Sequence, residues 1–174
     1  LPCPPRPILQ FHPDAKILIA GQAPGKKAHQ SGIPFDDASG KRLREWLGLT
    51  REEFYNSKNV AILPIGFCYP GTGKSGDLSP RPECSVAWRE KLLSQMSMIK
   101  MTVVLGEHAQ RYHFGPRKKM VTELVKSWRE YWPTIVPMPH PSPRNNIWLR
   151  KNQWFAEELL PLLKNHVRYL LSNQ

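Results

Sequence analysis

Cysteine is scarce in this chain: Cys3, Cys68 and Cys84 are the three in 174 residues. So small and odd a number excludes the disulfide framework of a secreted scaffold and leaves reduced thiols or ligands. Acid is also short, with 14 Asp and Glu against 25 Lys and Arg, a formal charge of +11. Such an excess does not set a fold, but it favours anionic partners, nucleic acid above all. No apolar run approaches the roughly 20 residues of a membrane span, and nothing at the start has the pattern of a secretory signal. The expectation is a soluble, cytoplasmic protein with no membrane partner. There is no internal repeat, and the length suits one domain over 1–174 with a Pro-rich arm at 1–15.

What is present alternates between two periodicities. Short, largely apolar runs at Lys16–Ala20, Asn59–Leu63 (all apolar after its first residue), Met101–Leu105 and Thr134–Met138 read as strands, buried as in a covered parallel sheet. Helical spacing falls between and after them: Gly40–Gly48, Thr50–Tyr55, Glu83–Ile99 (through Val86, Leu92, Leu93 and Met96), Gly106–Tyr112, Lys118–Tyr131 and Ile147–Leu171. Strands alternating with helices predict an α/β fold, a three-layer α/β/α sandwich around a four-stranded parallel sheet. Residues 64–82 are dense in Gly and Pro without periodicity, and so long a loop is usually functional or held by something else. Within it, Gly73-Lys74-Ser75 lacks the preceding strand and following helix of a phosphate loop.

Two strand-to-loop junctions carry the candidate chemistry. Gly21-Gln22-Ala23-Pro24-Gly25 follows the first strand, and Pro139-His140-Pro141-Ser142-Pro143-Arg144-Asn145-Asn146 follows the fourth. Loops leaving the carboxyl ends of parallel strands line one crevice, so both should face a common site. Together with Phe35-Asp36-Asp37-Ala38-Ser39-Gly40 and the Cys68–Cys84 loop, they resemble, in order and spacing, the successive motifs of the uracil-DNA glycosylase superfamily. The similarity covers most of the chain and is nearest to the thermophile-type and related bacterial families.

That resemblance implies a monofunctional DNA glycosylase, a monomer acting in the bacterial cytoplasm on DNA that holds uracil or another deaminated base. His140 would donate a hydrogen bond to the leaving base as its charge develops. Phe35 would stack on the extruded base, with Gln22, Ala23, Pro24, Gly25 and Ser142 around it. Arg144 and Asn145 would enter the minor groove, while Lys26 and Lys27 would meet phosphates. The first loop lacks the acid that many members carry there, so Asp37 becomes the candidate for stabilising the sugar cation and activating water, with Asp36 in reserve. An Asp before Ala-Ser-Gly is equally a helix N-cap. Members also read uracil with an Asn near the end of the second strand, where this chain has Leu63-Pro64-Ile65-Gly66-Phe67. Recognition then falls to backbone groups, or the base is not uracil. Catalysis needs no cofactor on this reading. Cys68 and Cys84, sixteen positions apart, resemble two of the four ligands of a [4Fe-4S] cluster, to be completed by cysteines upstream of Leu1.

Overall fold

The computed structural model describes residues 4–116 and 121–172. Four short runs of apolar residues form one parallel sheet: β1 (Ile17–Ala20), β2 (Val60–Ile62), β5 (Met101–Leu105) and β6 (Ile135–Met138), in the spatial order β2-β1-β5-β6. Register is set by Ile17 against both Val60 and Met101, and by Val103 against Val136. Alternate residues of β1 serve opposite faces. Ile17 and Ile19 join a large core with Leu43, Leu47, Phe155 and Leu163, whereas Leu18 packs with Ala61, Leu63 and Met96. The sheet is therefore covered on both sides, and the sandwich expected from the alternation is the one observed. Among the described residues no helix is long and apolar enough to cross a membrane.

Residues 8–10 run antiparallel along the outer edge of β2. The Gln10 amide donates to the Ile62 carbonyl, the Ile62 amide donates back, and Ile8, nearly fully buried, donates to the Phe67 carbonyl. This pairing closes an edge that would otherwise be open.

Several helices are shorter than spacing suggests. The Glu83–Ile99 helix is a π-helical turn at Ser85–Arg89 followed by α4 (Glu90–Leu93), and Val86, counted as inward-facing, is 84% exposed. The long carboxyl-terminal helix is split into α7 (Asn146–Lys151), a π turn at Phe155–Leu159 and α8 (Leu160–Ser172). Of Lys118–Tyr131, residues 118–120 lie outside the described residues, and the rest is α6 (Val121–Lys126) with a 3-10 turn at Trp128–Glu130. Two helices match more closely: α2 (Ala38–Leu47), closed by left-handed Gly48, and α3 (Arg51–Tyr55), opened by a capping box of Thr50 and Glu53. A helix at α1 (Lys26–Ser31) was not foreseen, and α5 (Gly106–Phe114) runs one turn-fraction past Tyr112. The long loop contains a hairpin, β3 (Thr72–Gly73) with β4 (Gly76–Asp77).

Arg89 is a buried cation whose charge is opposed by neighbouring Tyr112 and Glu90. Arg89, fully buried, donates from Nη2 to the Leu63 carbonyl at 3.0 Å and faces His113 Nε2 at 3.2 Å, its guanidinium 4.7 Å from the Tyr112 ring centroid. Burial, and then the Arg89 charge, push the His113 pKa down to about 4. The unfolded chain takes that proton near the ordinary value of about 6.5, so the stability held by neutral His113 is complete above that pH. It is lost as pH falls towards 4, by up to about 3 kcal/mol. Thermal melts from pH 7 to 4 should show this loss, and His113→Gln, which keeps an acceptor for Arg89, should flatten it.

Candidate functional site

A cavity of about 420 Å³ opens at the carboxyl ends of the parallel strands. Its wall brings together Gln22, Ala23, Pro24, Gly25, Phe35, Asp37, His140, Ser142, Arg144 and Asn145, residues separated by more than a hundred positions in sequence. The volume is in the range of small-ligand sites.

His140 is held by its own loop. The Ser142 amide donates to His140 Nδ1 at 3.2 Å, and Asn145 Nδ2 donates to the His140 carbonyl at 2.7 Å. A nitrogen that accepts from an amide carries no proton, so the neutral ring is the Nε2–H tautomer. Burial holds the His140 pKa below its ordinary value, with Asp37 pulling it up and Arg144 pushing it down. The imidazole is therefore neutral at pH 7 and has one N–H to donate. Behind it, Gly106 has φ +74, and a Cβ there would stand 3.3 Å from the His140 Cβ, so this helix start must lack a side chain for the loop to sit where it does. Gln110 Nε2 donates to the Met138 carbonyl two residues upstream.

Asp37 opens α2 from extended backbone, and its Oδ1 accepts from the Gly40 amide at 2.9 Å. The capping geometry is thus present. It occupies one oxygen, while Oδ2 lies 3.9 Å from where a Cβ on Gly25 would be, on the cavity side. Asp36 points elsewhere, paired with Arg51 at 3.0 Å, and that hydrogen bond lowers its pKa.

Phe35 sits at φ +56, a conformation costly for an aromatic residue. Its backbone is fitted onto Gly40, where any Cβ would collide with the Phe35 carbonyl, and its ring lies against Gly21. Edge contact with Phe54, centroids 6.4 Å apart, fixes the ring further. At the end of β2 the cavity wall is apolar, made by Ile62 and Pro64. Polar groups able to read a base edge come from the β1 loop, where Gln22 lines the cavity and its backbone carbonyl accepts from the Gly66 amide.

The structure adds residues that sequence reading missed. Arg42 on α2 donates to the Ser142 carbonyl at 3.1 Å and to Asn146 Oδ1 at 2.7 Å, tying the helix capped by Asp37 to the loop carrying His140. Ile8 and Asp77 also line the cavity. None of these had a sequence signal, since Arg42 is exposed by helical spacing and Asp77 lies in an aperiodic loop. Lys26 and Lys27 are exposed on α1, outside the cavity wall. Gly73-Lys74-Ser75 belongs to the β3–β4 hairpin, with no phosphate-loop geometry.

Cys68 and Cys84 stand side by side, each within hydrogen-bond reach of the other, and the Arg6 amide donates to Cys68. Burial raises the Cys68 pKa above the ordinary thiol value. Among the described residues no three His, Cys, Asp or Glu side chains gather as a metal site. Cys68 and Cys84 are two thiols where a four-thiolate cluster would need four, and Cys3 lies outside the described residues.

A parallel sheet whose strand-end loops bring a neutral histidine, a helix-capping aspartate and a strained phenylalanine around one cavity defines an α/β protein with a small-ligand-sized site at the carboxyl ends of its strands. Residues 9–164 match the family model described as the uracil DNA glycosylase superfamily, and the chain belongs to that superfamily. It is 27% identical over 143 residues to a Type-4 uracil-DNA glycosylase of Sulfurisphaera tokodaii, covering 75% of this chain and 61% of that protein. A Type-4 uracil-DNA glycosylase of Thermotoga maritima is 27% identical over 133 residues, 74% of this chain and 66% of its own. The chain thus spans under two thirds of the length of these relatives. The solution NMR structure of a candidate uracil DNA glycosylase from Methanosarcina acetivorans has the same fold, with a TM-score of 0.52 at 12% identity over 94% of this chain and 98% of that one.

Proposed function

We propose that the protein is a monofunctional DNA glycosylase that flips uracil, or a base sharing its carbonyl edge, out of DNA and hydrolyses its N-glycosidic bond. The observation that carries this reading is the neutral, Nε2-protonated His140 facing one cavity with the Asp37 carboxylate. The extruded base stacks on Phe35, and His140 Nε2–H donates to a base carbonyl oxygen as the bonding pair leaves with the ring. The deoxyribose becomes cationic as the bond lengthens. Asp37 Oδ2 stabilises that charge and takes the proton of the water that adds to the sugar carbon. Burial makes both interactions stronger than they are in water. The +11 chain binds the phosphate backbone, and flipping draws on that binding to offset a few kcal/mol of lost stacking and pairing.

Incubation with an oligonucleotide holding one uracil is expected to release free uracil and leave an alkali-labile abasic site. A panel with other deaminated bases tests the apolar wall at Ile62 and Pro64, and absence of release from every member overturns the reading. Cys68 and Cys84 are proposed as two ligands of an iron-sulfur cluster completed from Cys3 and a thiol outside this sequence. Bound iron and sulfide in the same preparation test this, and no step of base release depends on it.

A further inference from the structure

We propose that the β3–β4 hairpin is a second DNA-contacting element at the mouth of the cavity, with Leu78 its apolar wedge and Lys74 its phosphate contact. The proposal rests on the glycosylase reading above and adds to it a residue outside the family's motifs. Its starting point is that the hairpin is part of the cavity. Asp77, on β4, lines the wall, its Oδ2 3.5 Å from where a Cβ on Gly25 would be. Leu78 is the next residue, 49% exposed.

An exposed leucine is ordinary on a protein surface. This one is distinguished by how it is held. Its amide donates to the Gly71 carbonyl at 2.8 Å, closing the base of the hairpin. Its methyl groups lie over the bare backbone of Gly71 and Gly73, where a Cβ would approach to 3.5 and 2.9 Å. The side chain therefore stands on a glycine platform with its outer face open, one residue along from the Asp77 that lines the cavity wall. A wedge needs those features, since it must be apolar, already ordered, and beside the gap that the departing base leaves.

The other rim of the mouth is the loop after β6, and the two rims touch. Gly76 has φ +131, and any Cβ on it would run into the Arg144 guanidinium. Arg144 is thus seated against the hairpin backbone, which fits a strut between the two rims better than a free probe. The hairpin turn is the pair Lys74-Ser75, both exposed, because Gly73 is paired with Gly76. A lysine at the tip of a two-residue turn on this hairpin is placed to meet a backbone phosphate flanking the flipped nucleotide.

The experiment compares wild type with Leu78→Ala, Leu78→Met and Lys74→Ala on one uracil-bearing strand, alone and in a duplex. Leu78→Ala should lower kcat/KM on the duplex by about tenfold or more and on the single strand by less than about twofold, since only the duplex must be held open. Leu78→Met should recover most of the loss. Lys74→Ala should weaken duplex binding and reduce the slope of log affinity against log salt by about one. Equal losses on both substrates from Leu78→Ala, or none on the duplex, overturn the wedge while wild-type base release leaves the glycosylase reading standing. No release by wild type from either substrate overturns that reading and the wedge with it.

Discussion

His140→Ala is expected to slow base release by about 10²- to 10³-fold, with little change in DNA binding. The size follows from the role proposed for the ring, a single preorganised donor to charge that would exist only late in bond cleavage. Substrate binding precedes that charge, so the loss belongs to kcat. The pH profile separates this role from that of a general acid. Burial keeps the ring neutral below its ordinary pKa, so activity should remain flat as pH falls through about 6.5 and decline only lower. A profile falling from pH 7 in step with an ordinary histidine would show that the imidazolium is not excluded from the site. His140→Gln offers a further contrast, since its amide can donate but is not held by the Ser142 amide.

How much of this was legible in the sequence depends on the length scale of the signal. The four strands could be read because each is a short, largely apolar run ended by Gly or Pro, and their order requires the loops at 21–25 and 139–146 to share one end of the sheet. The fold was readable for that reason. Helix boundaries were less so. Val86 matched the inward spacing of Leu92 and Met96, but the π-helical turn at Ser85–Arg89 shifts the phase and leaves it in solvent. The break before α8 is also local. Asn152 Nδ2 donates to the Trp148 carbonyl and Trp154 Nε1 to Asn152 Oδ1, side-chain bonds that compete with a continuous helix.

The parts of the site built by long-range contact left no pattern to read. Ile8 is buried because Gln10 pairs with Ile62, and Pro-rich composition conceals that pairing. Arg42 reaches a carbonyl a hundred residues away. Gly106 takes φ +74 with His140 packed close behind it, a reason for glycine that exists only after folding. The sequence also placed two roles on Asp37 as alternatives. The structure shows the cap directly, and its geometry leaves the second oxygen on the cavity side, so the roles are compatible rather than exclusive.

That division of labour gives the second large effect. Asp37→Asn is expected to lower kcat by about 10²- to 10⁴-fold while changing the melting temperature little, because Asn caps a helix about as well as Asp and its amide oxygen can still accept from the Gly40 amide. It cannot take a proton from water or oppose the positive charge on the sugar. Asp37→Ala should show the same kinetic loss with about 1 kcal/mol of instability added, the ordinary cost of a missing N-cap. The pair of variants thus resolves two functions of one side chain that a single alanine would merge. Equal stability losses in both, with base release near wild type in Asp37→Asn, would reduce Asp37 to a cap. Asp77 would then be the carboxylate to test next, since its Oδ2 also lies close to where a Cβ on Gly25 would be.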